Sequence, residues 1–517
     1  MRLGRLKESM PVDRVAKIGR AGLTFCRRTF TSRPSVSQSK CSQLNTINKD
    51  TMGKTLKAEL EAILQPLDQT HVLRFWDELD ASSQQSLADQ IRAIDFEQLK
   101  ALAGSTGGAS KWDELAAKAE VPPAITSEDF ANPDSYRAAY DLGDAALKAG
   151  KVAMVLVAGG QGSRLGFEHP KGMFPIGPLS DRTLYQMLID QLLARGKQAG
   201  KAIPFYIMTS PPTHTETSQF LAENNYFGMN PDDVSIFCQG TMPAVDSDGK
   251  LLLSDKGTIF ASPDGHGGTL GALKRDGCLD DMKARGIEHV FYGQVDNPLI
   301  QACDPALLGY HIKSGSEMTS QVVRKHDPML KVGNVVVVDG KTQIIEYSDL
   351  PEQYARATLA DGSLKLWAGS IAVHVFERAF LDRTSDQADA LPFHHAHKKV
   401  AFVDSTGTLV KPAENNATKF ERFIFDLLPS ASNAIVCEVE PADGFCAVKN
   451  APPAPSETPQ HVKDAIVALH TRWLHEAGVK VADGVKVEIN PCFALDVDQL
   501  KEKLPSGTSI TEDRYIV

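Results

Sequence analysis

The sequence predicts an α/β fold on a mostly parallel sheet with helices on both faces, and three observations predict it. Strand-length apolar runs alternate with amphipathic helical segments through the middle of the chain. Of the 517 residues, 42% are hydrophobic and 23% charged, the proportions of an ordinary globular chain. A Gly-rich loop follows directly on the first apolar run. The runs are Val152–Ala158, Pro204–Thr209, Val234–Gln239, His289–Val295 and Trp367–Val375. Between the first two, Thr183–Gln198 reads as a helix with Leu184, Met187, Leu188 and Leu192 on one face. Val335–Val338, the Asp339-Gly340 turn and Gln343–Tyr347 spell an antiparallel hairpin, with Glu346 and Tyr347 on its second strand.

A single core stops growing at roughly 250–300 residues, so smaller pieces flank the central one. From Lys54 to about Ala103 the periodicity is helical, with Leu56, Leu60, Ile63 and Leu64 on one face, a helix over Leu73–Leu79 and another over Gln84–Ile94. Ala103–Ser110 and the proline-bearing Val121–Pro133 stretch read as linkers. After Pro429 come a strand at Ala434–Val439, a Pro-rich linker at Pro452–Pro459, a helix at Val462–Ala477 and a Val-rich tail, together a small α+β domain. The expected pieces are a leader 1–51, a helical region 52–125, a central domain 126–430 and a C-terminal domain 431–517.

The formal charge of −10 conceals an asymmetry: residues 1–51 hold 11 Lys+Arg against 3 Asp+Glu, and the remainder 44 against 62, a net of −18. So acidic a body excludes generic nucleic-acid binding, which needs a basic surface. The Arg- and Ser-rich leader has the composition of a transit segment, of a basic tail, or of sequence upstream of a start at Met52. A cytoplasmic location is expected, with organelle import through residues 1–51 left open. No apolar run nears the roughly 18 residues that span a bilayer, so no membrane is expected as partner. Eight cysteines show no Cys-x-x-Cys pair or zinc spacing and read as reduced, mostly buried thiols. His394-His395-Ala396-His397 is a His-rich tract with no acidic ligand nearby in the sequence, and no metal is assigned to it.

The chemistry concentrates where the first strand ends. Val157-Ala158 runs into Gly159-Gly160-Gln161-Gly162-Ser163-Arg164-Leu165-Gly166 and then His169-Pro170-Lys171-Gly172. Glycines after a buried strand let backbone N–H groups approach an anion, and Arg164 and Lys171 add cations. The Walker loop is excluded because no Gly-Lys-Ser/Thr follows, and the dinucleotide fingerprint because Leu165 stands where its third glycine belongs.

This loop resembles the signature of the eukaryotic-type UDP-N-acetylhexosamine pyrophosphorylases. The resemblance continues through Leu73–Leu79, Cys238–Pro243, Pro263–Gly268, Val295–Pro298, Lys331–Asn334, Glu346–Ser348, Leu366–Gly369 and Lys419–Asp426, leaving only the first 51 residues outside it. It implies a Rossmann-like nucleotidyltransferase domain that joins UTP to a hexosamine 1-phosphate, giving the UDP-sugar and pyrophosphate. It further implies that Val157, Ala158, Gly159 and Gly160 hold the uracil and α-phosphate side of UTP, with Gln239 and Gly265 reading the base. Arg164, Lys171 and Lys419 would face the phosphates as the catalytic cations. Gly333, Glu346, Tyr347 and Ser370 match the family's sugar-binding stretch, with Gly333 leaving space for the acetamido group, and His266 stands in the loop beside it.

The reaction itself agrees with these residue types. The sugar phosphate is already an anionic nucleophile, so the enzyme must align it with the leaving pyrophosphate and screen crowded charge. Mg²⁺ is the expected cofactor, because a hard cation bridges phosphate oxygens, and Asp296, ending His289–Val295 at the same sheet edge as the Gly loop, is its expected ligand. A catalytically silent relative would have lost Arg164, Lys171 or Asp296, and all three are present.

Two residues depart from the family pattern. His266 stands where the N-acetylhexosamine enzymes usually carry Asn, and Ser370 where an Asn commonly meets the sugar hydroxyls. Serine lacks the amide's donor pair and its reach, so the alternative is a UDP-hexose pyrophosphorylase that takes glucose or galactose 1-phosphate or has broad sugar choice. The sequence marks no oligomeric state, with a homodimer left open.

Overall fold

The computed structural model describes residues 55–104, 109–387, 391–505 and 507–517. The leader 1–51 and the middle of the Ala103–Ser110 linker lie outside the described residues; the elements below all belong to the compact unit Lys57–Val517.

Among the described residues the central sheet has ten strands. Along its main path the order is Ala124–Ile125, Ala434–Glu438, Met318–Arg324, Ala368–Glu377, His289–Gln294, Val152–Val157, Phe205–Thr209 and Val234–Cys238. All of these pairings are parallel except those of Ala368–Glu377, which is antiparallel to both neighbours. The hairpin Gly333–Val338/Lys341–Ile345 joins it through Gly333 opposite Ser370 and Asn334 opposite Gly369.

Successive side chains of a strand point to opposite faces, and both faces here are dry. Met154, Leu156 and Ala158 enter one core, under helices Pro133–Lys148, Leu184–Ala199, Pro305–Ser314 and Pro459–Glu476. Ala153, Val155 and Val157 enter the other, under Gly268–Arg275, Cys278–Ala284 and Arg378–Ser385. Burial on both faces is why Val152–Val157 is apolar without alternation. Thr183 and Gln186 form a capping box that starts Leu184–Ala199, and Gly200 ends it in the left-handed conformation.

The chain leaves Val152–Val157 toward Phe205–Thr209 and Val234–Cys238 on one side, then returns with His289–Gln294 on the other. Strand order therefore reverses between Val152–Val157 and His289–Gln294. In open α/β sheets ligands bind in the crevice beyond the carboxyl ends of the strands at such a point.

Several expectations need correction. Ala434–Glu438, assigned from sequence to the C-terminal piece, pairs with Met318–Arg324 in the central sheet, so the central fold reaches beyond residue 430. The C-terminal piece keeps its own small core around Leu474, Val487, Ile489 and Leu500. Leu73–Leu79 is two 3₁₀ turns, Thr70–Leu73 and Trp76–Glu78, although Val72, Phe75, Trp76 and Leu79 stand at helical spacing. Glu346 and Tyr347 lie past the end of the hairpin strand, which stops at Ile345 opposite Asn334. Glu346 O instead accepts the N–H groups of Asp349 and Leu350 and heads a turn. Cys278, Cys303 and Cys437 are buried free thiols, as expected, whereas Cys492 is exposed. No helix of the described residues is long and apolar enough to cross a membrane.

Candidate functional site at the sheet switch point

The Gly loop folds back on itself. Lys171 N–H donates to Gly160 O at 3.0 Å and Gly162 N–H to His169 O at 2.9 Å, bringing Lys171 beside the strand end. Gly172 lies against Tyr185, whose ring carbons would stand 2.2 Å from a Cβ there, so the lysine's turn packs closer than any side chain allows. Lys171 Nζ donates to Asp296 Oδ2 at 3.0 Å, with the two side chains 14% and 23% exposed. Arg164 is exposed on the 3₁₀ turn Ser163–Leu165.

Asp296 follows the neighbouring strand, and its backbone is held from both sides. Val295 N–H donates to Val157 O at 3.0 Å, and Val448 N–H donates to Asp296 O at 2.8 Å. Among the described residues no group of three or more His, Cys, Asp or Glu is placed to hold a metal ion. Asp296 is thus a single carboxylate at the crevice rather than part of an all-protein cage.

The residues expected to read a base are brought together. Gln239, buried at the end of Val234–Cys238, packs its Oε1 3.2 Å from where a Cβ on Gly159 would stand, and Ser210 Oγ donates to Gly159 O at 2.6 Å. Gly265 has φ +82°, and a Cβ there would meet Arg422 O at 2.4 Å, so only backbone fits. Asp264, beside it, is 3% exposed; Arg422 donates to its Oδ2 at 2.9 Å, and Arg422 N–H to its backbone O at 2.8 Å. Burial raises the Asp264 carboxyl above its ordinary range, and the Arg422 guanidinium opposes that rise. Lys419, on the bordering strand Ala417–Glu421, has its Nζ 5.0 Å from the Phe260 ring centroid, and burial lowers its ammonium below the usual value. That strand bridges to Val245 through Thr418 and so lies alongside the Gln239–Pro243 segment.

The sugar-binding candidates form a second group. Ser370 lies opposite Gly333, and a Cβ on Gly333 would stand 3.2 Å from Glu346 Oε2 and 2.6 Å from an Ile344 methyl. Burial, and next the neighbouring Asp349 charge, push the Glu346 carboxyl up to about 7, with His394 and Lys449 pulling the other way. Tyr347 is 47% exposed on the turn and is not drawn into this group. His266 closes the far wall: its ring stacks 5.3 Å from Phe423, its Nδ1 accepts from Ile424 N–H at 3.4 Å, and Tyr292 Oη lies 3.2 Å from the same nitrogen. Burial, with His394 as a smaller cause, lowers the His266 imidazolium to about 4, so the ring is neutral.

Three partnerships were missed in the sequence. His394 Nε2 lies 2.8 Å from Asp426 Oδ2, so the His tract does have an acidic neighbour. Burial opposes the charged His394 ring, but the Asp426 hydrogen bond and charge outweigh it and leave its pKa above the ordinary value. The Asp264–Arg422 pair fixes the loop that was expected to read the base, and both residues sit inside motifs that carry the family resemblance. Asn297, also inside one, accepts Cys446 N–H at 3.0 Å and donates to Gly444 O at 2.8 Å. His394–Asp426 carried no sequence signal, because tertiary packing alone joins them.

Comparison with known proteins identifies the family. The profile of the UDPGP family, UTP–glucose-1-phosphate uridylyltransferase, matches residues 119–501. A human UDP-N-acetylhexosamine pyrophosphorylase-like protein 1 is 36% identical over 439 residues, covering 82% of this chain and 87% of that one. The UDP-N-acetylglucosamine pyrophosphorylase of Saccharomyces cerevisiae is also 36% identical, covering 82% and 92%. The crystal structure of the uridine diphosphate N-acetylglucosamine pyrophosphorylase from Trypanosoma brucei, in complex with an inhibitor, superimposes with a TM-score of 0.74 at 25% identity, covering 89% of this chain and 98% of that one. The family profile over residues 119–501, with relatives 36% identical across 82% of the chain, makes the chain a member of the UTP–glucose-1-phosphate uridylyltransferase family.

Proposed function

We propose that this enzyme joins UTP and N-acetylglucosamine 1-phosphate into UDP-N-acetylglucosamine and releases pyrophosphate. The observation that carries the reading is the Lys171–Asp296 pair, built by the loops of two adjacent parallel strands at the reversal of strand order. Its substrates have the chemistry that this place accepts: a phosphate chain against glycine backbone, with cations beside it.

In the reaction an oxygen of the sugar phosphate attacks the α-phosphorus of UTP, and the bond to the bridging oxygen of pyrophosphate breaks with its electron pair. No proton has to be removed from the nucleophile, which suits a site that offers no Ser–His or Cys–His dyad in these motifs. The Val157–Gly160 backbone seats the nucleotide, and Gln239 and Gly265 face its base. Lys171, Lys419 and Arg164 offset the charge that builds on the phosphates, an effect worth most where the cation is already in place. Gly333, Glu346 and Ser370 hold the sugar, with Glu346 accepting from a hydroxyl. Asp296 fits Mg²⁺, since this ion is commonly held by one or two carboxylates plus substrate phosphates; when bound it would neutralise the leaving pyrophosphate. Buried free thiols such as Cys303 and Cys437 suit the reducing cytoplasm, where we place the enzyme.

The test is pyrophosphate release by the full chain with UTP and Mg²⁺, comparing N-acetylglucosamine, N-acetylgalactosamine, glucose and galactose 1-phosphates. The expected result is a clear lead for N-acetylglucosamine. Equal or greater rates with glucose or galactose would replace the sugar assignment with the UDP-hexose reading, which His266 and Ser370 favour. Absence of release with all four would overturn the reaction.

A further inference from the structure

Glu488 is a carboxylate with 2% of its surface exposed, on the C-terminal strand Val487–Ile489. Its Oε2 accepts from Leu179 N–H at 2.7 Å and Ser180 N–H at 2.8 Å, and its Oε1 accepts from Ser180 Oγ at 2.6 Å. Gly177 makes room for it, because a Cβ there would stand 2.9 Å from Oε1. All three donors belong to one turn far earlier in the chain.

That turn is the tip of a short hairpin. Ile176 and Gly177 N–H donate to Arg182 O at 2.9 and 3.0 Å, and Leu184 N–H donates to Phe174 O at 3.1 Å. At its base, Phe174 N–H donates to Lys171 O at 2.9 Å, so the hairpin grows directly out of the 3₁₀ turn Lys171–Met173. Whatever fixes the tip therefore fixes the frame on which Lys171 stands.

Asp296 is tied to the same part of the chain. Its carbonyl receives Val448 N–H, and its neighbour Asn297 grips Gly444 and Cys446. From there helix Pro459–Glu476 leads to the C-terminal strand, where His470 Nδ1 accepts from Ile489 N–H at 3.1 Å, next to Glu488. Asp296, the 444–448 segment, the helix, Glu488, the hairpin and Lys171 close a circuit of contacts around the pair.

We propose that Glu488 is a positioning residue for the transfer reaction: by holding the hairpin tip it sets Lys171 against Asp296 at the spacing that the transition state requires. The proposal rests on reading Lys171 as the cation that faces phosphate. Apolar contact alone would attach the C-terminal piece, but it would not fix a turn; a buried carboxylate does so because each of its hydrogen bonds is directional and charge-assisted, and none is replaced by water. Small displacements of a group facing the reacting phosphate cost large factors in rate.

The test uses the full chain carrying Glu488→Gln, which keeps the side chain's size but turns an amide NH₂ toward backbone donors. The expected result is a fall in kcat of about tenfold or more, with KM for UTP and for the sugar phosphate each within about threefold of wild type. Amide hydrogen exchange should speed up at Leu179, Ser180 and Phe174. Leu500→Ala is the control, since Leu500 is fully buried in the core of the same C-terminal piece and its side chain has no hydrogen-bonding atom with which to hold the hairpin tip; it should lower the melting temperature and retain kcat. Wild-type kcat in Glu488→Gln despite faster exchange, or an equal loss of kcat in Leu500→Ala at matched stability, would overturn the proposal. If the wild type releases no pyrophosphate, the assigned reaction fails instead; the latch is then judged by exchange, and unchanged protection of Leu179 and Ser180 in Glu488→Gln overturns it.

Discussion

Lys171 Nζ lies 3.0 Å from Asp296 Oδ2, joining the loop after one parallel strand to the loop after its neighbour across the reversal of strand order. Each residue has its own support: Lys171 stands on a turn packed against Tyr185, and Asp296 O accepts from Val448 N–H beside the bonds of Asn297 to Gly444 and Cys446. The pair is therefore a built feature rather than a meeting of two loose side chains.

Lys171→Ala is expected to lower kcat by about 10²–10³, the range seen when one preorganised electrostatic contact to a transition state is removed. Lys171 is partly exposed and outside both cores, so the melting temperature should change little. Steady-state kinetics alongside a thermal melt checks this, and a folded Lys171→Ala enzyme with near wild-type kcat would sink the mechanism.

On the proposed reading, Glu346 is expected to make the sugar step sensitive to pH. Its carboxyl is pushed up to about 7 by burial and then by Asp349, so it takes up a proton as pH falls through 7. A protonated carboxyl accepts a sugar hydroxyl less well than a carboxylate, so KM for the sugar phosphate should rise as pH falls from 8 to 6, while KM for UTP stays flat. Stability runs the opposite way. The folded-state pKa lies above the unfolded value, so the group favours folding fully only below about 4.5, and this is lost as pH rises through about 7, on the order of 3 kcal/mol in all. Glu346→Gln should flatten the KM profile and remove that part of the pH dependence of unfolding, as read by denaturant melts at several pH values.

The sheet was legible where local chemistry dictates it. Val152–Val157 reads as a strand because it is buried on both faces, and Asp339-Gly340 reads as a two-residue turn because it takes positive φ at both positions, 51° and 78°. The turn of the Gly loop was legible because a chain packed as close as Gly172 is to Tyr185 leaves its mark in composition. The direction of Ala368–Glu377 and the place of Ala434–Glu438 were not, since strand partners are chosen by long-range packing. Neither were His394–Asp426, Asp264–Arg422 or Glu488–Ser180: each joins distant segments, and a single side chain bears no trace of its partner.

Gly333→Ala tests the space beside Glu346. The new methyl would lie 2.6 Å from Ile344 Cγ2 and 3.2 Å from Glu346 Oε2, so one of them must move. Overpacking of this kind costs about 1–3 kcal/mol. If Ile344 yields, stability falls and kinetics hold; if Glu346 yields, KM for the sugar phosphate rises as well. The second result is expected, because the carboxylate is partly exposed while Ile344 is locked in the buried hairpin. A stability loss without any change in KM would mean that Ile344 yields and Glu346 keeps its place.

Ser370→Asn asks whether the sugar choice sits on this strand. Ser370 immediately precedes a bulge in Ala368–Glu377, where the register jumps from Val373 to Ser370 and Ala372 takes φ 56°. Bulges re-aim neighbouring side chains; here Ser370 faces Gly333, and its Oγ accepts from Ala372 N–H at 3.3 Å. Asparagine would give up part of that local bond but extend an amide, with two donors and an acceptor, toward the group formed by Gly333 and Glu346. One added hydrogen bond to the acetamido group at C2, the one place where the two sugars differ, is worth about 0.5–1.5 kcal/mol net. The kcat/KM of the variant for N-acetylglucosamine 1-phosphate relative to glucose 1-phosphate should therefore shift by about two- to tenfold, while KM for UTP is unchanged. Parallel assays with both sugars measure it. A ratio that stays fixed while kcat/KM for both falls together would mean that position 370 supports the bulge and does not touch the sugar.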